Sequence, residues 1–214
     1  AVDALLALDE GSLSSLASTA CDACNARAFA SLLTALHARA SSVGTKRARA
    51  WAAAAGSSGD IATIDVALTH PASTTTTQVD AEGAGVGAER RASAHHQSLL
   101  LACVSGAARH NRVAAVEHVL AVHAPPSLAP ALATGDTDEE MDEAALAVAC
   151  RCGHDGVVTA LQRFAPQFVP TASYFAAAAR SGSLPTLRRL LTWRRAALAA
   201  TSKALAATSR PVAP

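Results

Sequence analysis

Bulky aromatic side chains are scarce in this sequence. Only 3% of its 214 residues are Phe, Trp or Tyr, although 50% are apolar. Alanine dominates that apolar half. It is the best helix former, whereas sheets are filled by Val, Ile, Thr and aromatic residues. A core of small side chains also implies helices that approach one another closely. We therefore expect an all-α protein.

Long apolar runs are absent as well. No stretch reaches the ~18 residues that would suggest a membrane-spanning helix. The chain begins AVDALLALDEG, with neither Met nor a basic amphipathic start, so no signal or transit peptide is visible. A removed leader and a truncated chain would both give such a start. The five cysteines form no disulfide framework and favour a reducing or organellar interior over secretion.

Acidic residues are almost absent from the C-terminal part of the chain. Residues 1–150 hold 9 Lys and Arg against 16 Asp and Glu, a balance of −7. Residues 151–214 hold 9 Lys and Arg against Asp155 alone, a balance of +8. Such a division predicts a directional partner surface that is basic at the C-terminal end.

A pattern of small and apolar residues recurs five times around a turn position. The five turn positions, used here as anchors, are Cys24, Gly59, Asn111, Gly153 and Gly182. Alanine stands four residues before every anchor, and an apolar residue stands five and eight residues after it. Apolar residues at this spacing share one face of a helix. Capping residues are expected near the turns at Asp60, Asn111, Asp155 and Ser183.

Each unit therefore reads as a helical hairpin that must stack on its neighbours to bury its apolar face. We predict one α-solenoid of about five stacked helix-turn-helix repeats over residues 12–195, followed by a basic C-terminal helix end or tail over 196–214. Two loop-like inserts lengthen the array, at 70–96 and 125–140. The first includes GAGVGAE, which we interpret as flexible loop rather than a dinucleotide-binding turn, because no strand-turn-helix unit surrounds it.

The segment FVPTASYFAAAARSGSLPTLRRLL, at 168–191, resembles the pentatricopeptide repeat, a helical hairpin of about 35 residues. The resemblance implies an RNA-associated, organellar protein. The polar residues that read bases in that family are not recognisable here, so we expect no code of one base per repeat. The small pair before the turn, His154 after Gly153, and the pair Val157 and Val158 resemble ankyrin repeats instead, which would imply a protein-binding adaptor.

Residues with chemistry of their own are few. Cys21 and Cys24, and the set Cys150, Cys152 and His154, have metal-like spacing, but they stand where the repeat requires small residues. His118 and His123 are five residues apart, which we interpret as off a common helical face. We expect no metal, no cofactor, no small-molecule substrate and no enzymatic activity, since no catalytic motif or carboxylate pair is evident.

The C-terminal helix carries the most informative polar residues. We expect its buried stripe to consist of Leu184, Leu187, Leu190 and Leu191. The residues predicted to contact RNA phosphates are Arg188, Arg189, Arg194, Arg195 and Lys203, and Trp193 is predicted to stack on a base. A solvated cationic cap on the solenoid is the alternative interpretation.

These expectations define a functional hypothesis. We expect the chain to be a non-catalytic scaffold of a large ribonucleoprotein, a mitochondrial ribosome or its assembly machinery. Its basic end contacts RNA, and its other surfaces contact protein subunits. Cytoplasmic placement is the alternative to the mitochondrion. The rival function is an ankyrin-type protein-protein adaptor with no role in nucleic-acid binding.

Overall fold

Every regular element among the residues that the computed structural model describes is a helix. The structure describes residues 10–38, 45–70, 86–125, 128 and 144–208, and no strand occurs in these ranges, which confirms the all-α expectation. The described helices, in chain order, are α1 (Glu10–Asp22), α2 (Ala26–Ala38), α3 (Thr45–Ser58), α4 (Ile61–Thr69), α5 (Val86–Arg109), α6 (Val113–Val122), α7 (Ala145–Cys152), α8 (Asp155–Phe164), α9 (Ala172–Arg180) and α10 (Leu184–Thr208).

Short turns join these helices into five pairs, and each turn passes through one anchor. The five anchors are also the residues with positive φ in the described chain: Cys24, Gly59, Asn111, Gly153 and Gly182. At each one the anchor N–H donates to the carbonyl three residues earlier, for example Gly182 to Ala179 at 3.0 Å. A left-handed residue that closes a helix in this way is typical of helix C-termini. Cys24 adopts this conformation without the freedom of glycine, at a cost of roughly 1–2 kcal/mol.

Side-chain caps begin some of the second helices of these pairs. Asp60 accepts from the Thr63 N–H at 2.8 Å, as predicted, and Asn25 accepts from Ala28 at 3.0 Å. The prediction was wrong for Asn111, because that residue occupies the left-handed turn and leaves Arg112 at the cap position. It was also wrong for Asp155, which is already the first residue of α8.

The described chain divides into two compact units. In unit 1, Ala1–Pro125, the first helices of the pairs, α1, α3 and α5, pack on one another in order. The second helices, α2, α4 and α6, do the same. In unit 2, Pro126–Pro214, α7 packs on α9, and α8 packs on α10. The alanines four residues before the anchors are buried in all five pairs.

In unit 1 the backbones of α3 and α5 touch. A methyl group added at Gly56 would overlap the carbonyl oxygen of Cys103, and one added at Gly106 would overlap the carbonyl oxygen of Ala53. Neither glycine has positive φ, so closeness rather than backbone conformation requires them. Small residues, which the aromatic-poor composition supplies, thus allow these two helices to meet without intervening side chains.

The insert predicted at 70–96 is wrong in part. Residues 86–96 form the first turns of α5 rather than a loop, and 71–85 lie outside the described residues. Nearly all of the insert at 125–140 also lies outside them, apart from Pro125 and buried Leu128. In the part of the chain that the structure describes, no helix combines the length and apolar character needed to cross a membrane.

Candidate nucleic-acid interface on the last helix

The last helix, α10, begins at a well-defined turn. The backbone at Gly182 is left-handed, with φ of +72°, and Ser183 follows it. The Ser183 hydroxyl accepts from the Thr186 N–H at 3.4 Å, and it lies 2.9 Å from the buried Thr186 hydroxyl. Pro185 stands in the first turn, where its missing N–H removes no helical hydrogen bond. The sequence thus fixes the start of the helix that carries the basic residues.

The buried face of α10 differs from the predicted leucine stripe. Its buried residues are Thr186, Leu190, Trp193 and Ala197, spaced by four, three and four. Of the predicted stripe, Leu190 is buried, whereas Leu184 is 62% exposed and Leu191 is 46% exposed. The helix is rotated so that its largest side chain, Trp193, enters the core. Burying an aromatic ring removes more apolar area from water than burying a leucine.

Trp193 therefore has no free face for a nucleobase. It is 1% exposed, and its ring lies edge-on to Phe168 with centroids 5.7 Å apart. Phe168 also contacts Tyr174, at 6.0 Å. The prediction that Trp193 stacks on RNA was wrong, because the ring is a central part of the core of unit 2.

Arg189 is held by an acidic partner. Its Nε and Nη2 donate to the two carboxylate oxygens of Asp155 at 3.2 and 3.1 Å, which forms a bidentate pair between α10 and α8. The hydrogen bond to Asp155 raises the pKa of the Arg189 guanidinium, although burial acts against it. Since a bidentate pair directs the guanidinium at the carboxylate, Arg189 is poorly placed for the predicted phosphate contact.

The four other predicted cations are exposed on α10. They are Arg188, Arg194, Arg195 and Lys203. Arg188 and Arg195 are seven residues apart, so they lie on the same side of the helix. The Arg194 guanidinium lies over the Phe175 ring, 5.9 Å from its centroid, which leaves its N–H groups free to bind an anion. No acidic residue occurs in the sequence of α10.

Beside these arginines runs a row of exposed leucines. Leu184, Leu191 and Leu198 recur at seven-residue intervals and are 62, 46 and 47% exposed. Together with Arg188 and Arg195 they form the outer face of α10, which we call the Leu/Arg face. The solvent-exposed side of α10 is therefore both apolar and cationic.

A second polar cluster lies in unit 1, away from the predicted residues. His118 Nε2 and His123 Nε2 lie 2.7 and 2.8 Å from the same carboxylate oxygen of Asp65, Oδ1. The two histidines do not share a face of α6, which ends at Val122, but its C-cap residue His123 turns back toward α4 and meets the same carboxylate as His118. Burial tends to raise the pKa of Asp65, but hydrogen bonds from the two histidines hold it below its usual value.

The anchors held a signal that would have found this cluster. Asp65 follows its anchor, Gly59, by six residues, and His118 follows Asn111 by seven. They therefore stand at positions that differ by one residue on adjacent second helices. Sequence reasoning missed them because it tested spacing along the chain rather than across repeats.

The cysteine sets with metal-like spacing are not brought together in this way. Asp65, His118 and His123 are the only group of three potential ligands that converges among the described residues. Cys21 and Cys150 are buried among the small residues of first helices, while Cys24 and Cys152 are exposed. Burial raises the pKa of each of the two buried thiols to about 12, so they remain protonated at neutral pH.

Comparison of the chain with protein-family models, with curated proteins and with solved structures gives no match.

Proposed function

We propose that this chain is a non-catalytic scaffold of a large ribonucleoprotein, built as an α-solenoid of five stacked helix-turn-helix repeats. Two observations support the repeats: five left-handed anchors and five buried alanines recur at matching positions. Within each unit, first helices pack on first helices and second helices on second helices. That arrangement is typical of solenoid repeats. The joining of both units into one continuous array is part of the proposal.

The observation that carries the RNA assignment is the exposed, uncompensated charge of α10. Arg188, Arg194, Arg195 and Lys203 stand on a helix without a single acidic residue. Among the described residues, no carboxylate pairs with these four side chains, whereas the neighbouring Arg189 is neutralised by Asp155. Unpaired cations on one helix attract phosphates and release counterions when they bind.

Salt dependence of RNA binding tests this proposal. If the four cations each contact a phosphate of a single strand, log K falls with log salt at a slope of up to about −2.8, at roughly −0.7 per contact. A variant with Arg188, Arg194, Arg195 and Lys203 all changed to Gln should lose most of that slope. Fluorescence anisotropy with a short, mixed-sequence single-stranded RNA over a salt series measures it.

The matched control changes the leucine row to the same residue. Leu184→Gln, Leu191→Gln and Leu198→Gln, combined, should leave the salt slope of RNA binding unchanged, because these residues carry no charge. Absence of RNA binding by the unmodified chain at low salt would sink the ribonucleoprotein proposal, as would equal loss of binding in both variants.

The leucine row favours a second candidate function, a protein-protein adaptor of ankyrin type. Exposed leucines at seven-residue intervals are typical of a helix that packs on another helix. Copurification of protein partners tests the adaptor function. If it is correct, a partner that copurifies with the unmodified chain is lost from the leucine variant and retained by the variant with the four cationic residues changed. The opposite pattern supports the RNA assignment.

A mitochondrial ribosome or its assembly machinery is the assembly that we propose. Support comes from the pentatricopeptide-like segment that ends in α10. Fractionation of cells with an antibody against the endogenous protein tests the placement: recovery in the organelle together with ribosomal RNA is expected. Recovery only in the cytoplasm contradicts the organellar part of the proposal. The scaffold part is then tested by whether RNA or protein copurifies with the chain.

A further inference from the structure

We infer that Asp65, His118 and His123 form a binding site for a zinc ion. The site joins α4 to α6 in unit 1, and the inference is independent of the ribonucleoprotein proposal. Its three donor atoms, Asp65 Oδ1 and the two Nε2 atoms, all lie within 4.8 Å of one another. Two imidazoles and one carboxylate from separate positions converge on one point.

The donor set matches the chemistry of zinc. Imidazole nitrogen and carboxylate oxygen are both common zinc ligands, and three protein ligands leave one tetrahedral position for water. Hard cations such as Ca²⁺ and Mg²⁺ prefer sites made of oxygen atoms, so the two histidines select against them. Thiolates are not part of the cluster, which separates it from the cysteine sets.

The geometry is close to that of a bound ion. Zinc–ligand distances of about 2.0–2.1 Å in a tetrahedron place neighbouring donor atoms about 3.3 Å apart. The two Nε2 atoms now lie 2.7 and 2.8 Å from Asp65 Oδ1. These two Nε2–Oδ1 pairs must therefore separate by about 0.5–0.6 Å to admit zinc, a change of the size that small side-chain rotations produce.

Zinc binding also requires each histidine to free its Nε2 atom of a proton. In the observed arrangement each Nε2 is the donor to Asp65 Oδ1, because a carboxylate oxygen accepts. A zinc ion at Nε2 needs the lone pair of that atom, so the proton of each neutral ring moves to Nδ1 as the metal binds. A histidine that is protonated on both nitrogens instead releases one proton to solvent.

The site is reachable from solvent. The side chain of Asp65 is 43% exposed, whereas that of His123 is 10% exposed. The carboxylate thus forms the open edge of the site, where water would complete the coordination, and His123 forms its inner wall. The His118 and His123 rings meet edge-on at 5.7 Å, which restricts the orientation of both.

Zinc titration of the full-length chain tests the inference. The exposed thiols are first alkylated and residual metal is removed with a chelator, so that cysteine does not compete. Calorimetry is expected to show one zinc ion per chain. Zinc at 100 times its Kd is expected to raise the unfolding midpoint by about 5–10 °C.

Variants assign the binding to these residues. His118→Gln and His123→Gln keep a donor for Asp65 but remove a good zinc ligand, so each is expected to weaken binding at least about 10-fold, since even second-shell changes cost 10- to 100-fold. His110→Ala is the control, because His110 is exposed in unit 1 and outside the cluster. Circular dichroism of each variant checks that the helices are retained.

Several outcomes would overturn the inference. One is that no saturable binding is seen at a zinc concentration of about 100 μM. Another is that zinc binding is unchanged in the His118→Gln/His123→Gln double variant. A third is that His110→Ala weakens zinc binding as much as the cluster variants do. A stoichiometric site lost only in the cluster variants supports it. In a cluster that only holds helices together by hydrogen bonds, the glutamine variants would alter the unfolding midpoint but no metal would bind.

Discussion

In both units a side-chain contact joins two adjacent second helices, but the basic residue of that contact differs. In both, an aspartate on one second helix reaches a basic side chain on the next: Asp65 on α4 meets His118 on α6, and Asp155 on α8 meets Arg189 on α10. Arginine stays protonated and does not ligate metals, so the contact in unit 2 has a single protonation state and binds no metal ion. Histidine can give up its proton and bind a metal ion, so the contact in unit 1 can have several states. The basic residue stands seven positions after its anchor in both units, His118 after Asn111 and Arg189 after Gly182, although the two aspartates stand at different positions. The position of the basic residue thus serves structure in unit 2 and offers a site in unit 1.

Packing of the first helices differs too. In unit 1, α3 and α5 touch through backbone atoms at Gly56 and Gly106. In unit 2, the glycines at 153 and 182 belong to turns with positive φ, and α8 carries an exposed glycine at 156. Turn glycines with positive φ thus occur in both units, at Gly59 in unit 1 and at Gly153 and Gly182 in unit 2, whereas glycine is required for close approach of two helix backbones at Gly56 and Gly106 in unit 1.

The largest predicted effect tests that difference with one substitution at two helical glycines. Gly106→Ala should lower the free energy of unfolding by about 1–3 kcal/mol, because the new methyl group overlaps the Ala53 carbonyl oxygen. Gly156→Ala, in the exposed first turn of α8, should raise it by up to about 1 kcal/mol through helix propensity. Urea unfolding followed by circular dichroism gives both values.

Opposite signs in the two variants are the decisive feature. Helix propensity alone predicts that alanine stabilises at both positions. If Gly106→Ala were stabilising as well, α3 and α5 would not be in backbone contact, and the contrast between the units would disappear.

Sequence reasoning was sufficient for the features that repeat locally. The anchors at Cys24 and Asn111 were found without glycine, because the alanine four residues earlier and the apolar residues five and eight later fixed the register. All five anchors then proved to be left-handed turns. Such features depend on a few neighbouring residues, which is why one sequence is enough to place them.

Features set by long-range packing could not be predicted in this way. The rotation of α10 depends on Phe168, which contacts both Trp193 and Tyr174, and a count of leucines gave the wrong face. The link from Asp65 to His123 spans 58 residues and depends on where α6 ends. The start of α5 at Val86 was also missed, because Gly87 in its first turn has low helix propensity.

The next prediction concerns alkaline pH and the buried thiols. Burial, with Cys21 and Asp65 adding to it, raises the pKa of Cys103 from 9.0 to about 12. Above pH 9 the unfolded chain releases the thiol proton while the folded chain keeps it, so unfolding becomes easier as pH rises toward 12. The loss is about 1.4 kcal/mol per pH unit for each such thiol. Below pH 9 both states hold the proton, and no dependence is expected.

Alanine variants separate the two units in this experiment. Unit 1 holds two buried thiols, Cys21 and Cys103, and unit 2 holds one, Cys150. Cys103→Ala and Cys150→Ala should each reduce the slope of unfolding free energy against pH by about 1.4 kcal/mol per unit between pH 9 and 11. An unchanged slope in both variants would contradict the burial of these thiols. Because slopes are compared, the small cavity left by alanine does not affect the result.

The smallest predicted effect distinguishes the two tryptophans. Trp51 in unit 1 donates from Nε1 to the Ser18 hydroxyl at 3.0 Å, and its ring lies edge-on to Phe29. Trp193 in unit 2 is equally buried, but no acceptor among the described residues lies within hydrogen-bond distance of its Nε1. Trp51→Phe loses a hydrogen bond as well as packing, whereas Trp193→Phe removes a buried donor that lacks a partner. Trp51→Phe should therefore cost about 1 kcal/mol more.

Each variant retains one tryptophan, so fluorescence during urea unfolding follows the remaining unit while circular dichroism follows both. Ser18→Ala supplies the control: it should destabilise the unmodified chain and the Trp193→Phe variant equally, but have less effect once Trp51 is replaced. Equal costs for both Trp→Phe variants would mean that Trp193 finds an acceptor. If Trp193→Phe instead left stability unchanged but weakened RNA binding, the ring would be available to a base after all, and its assignment to the core of unit 2 would be wrong.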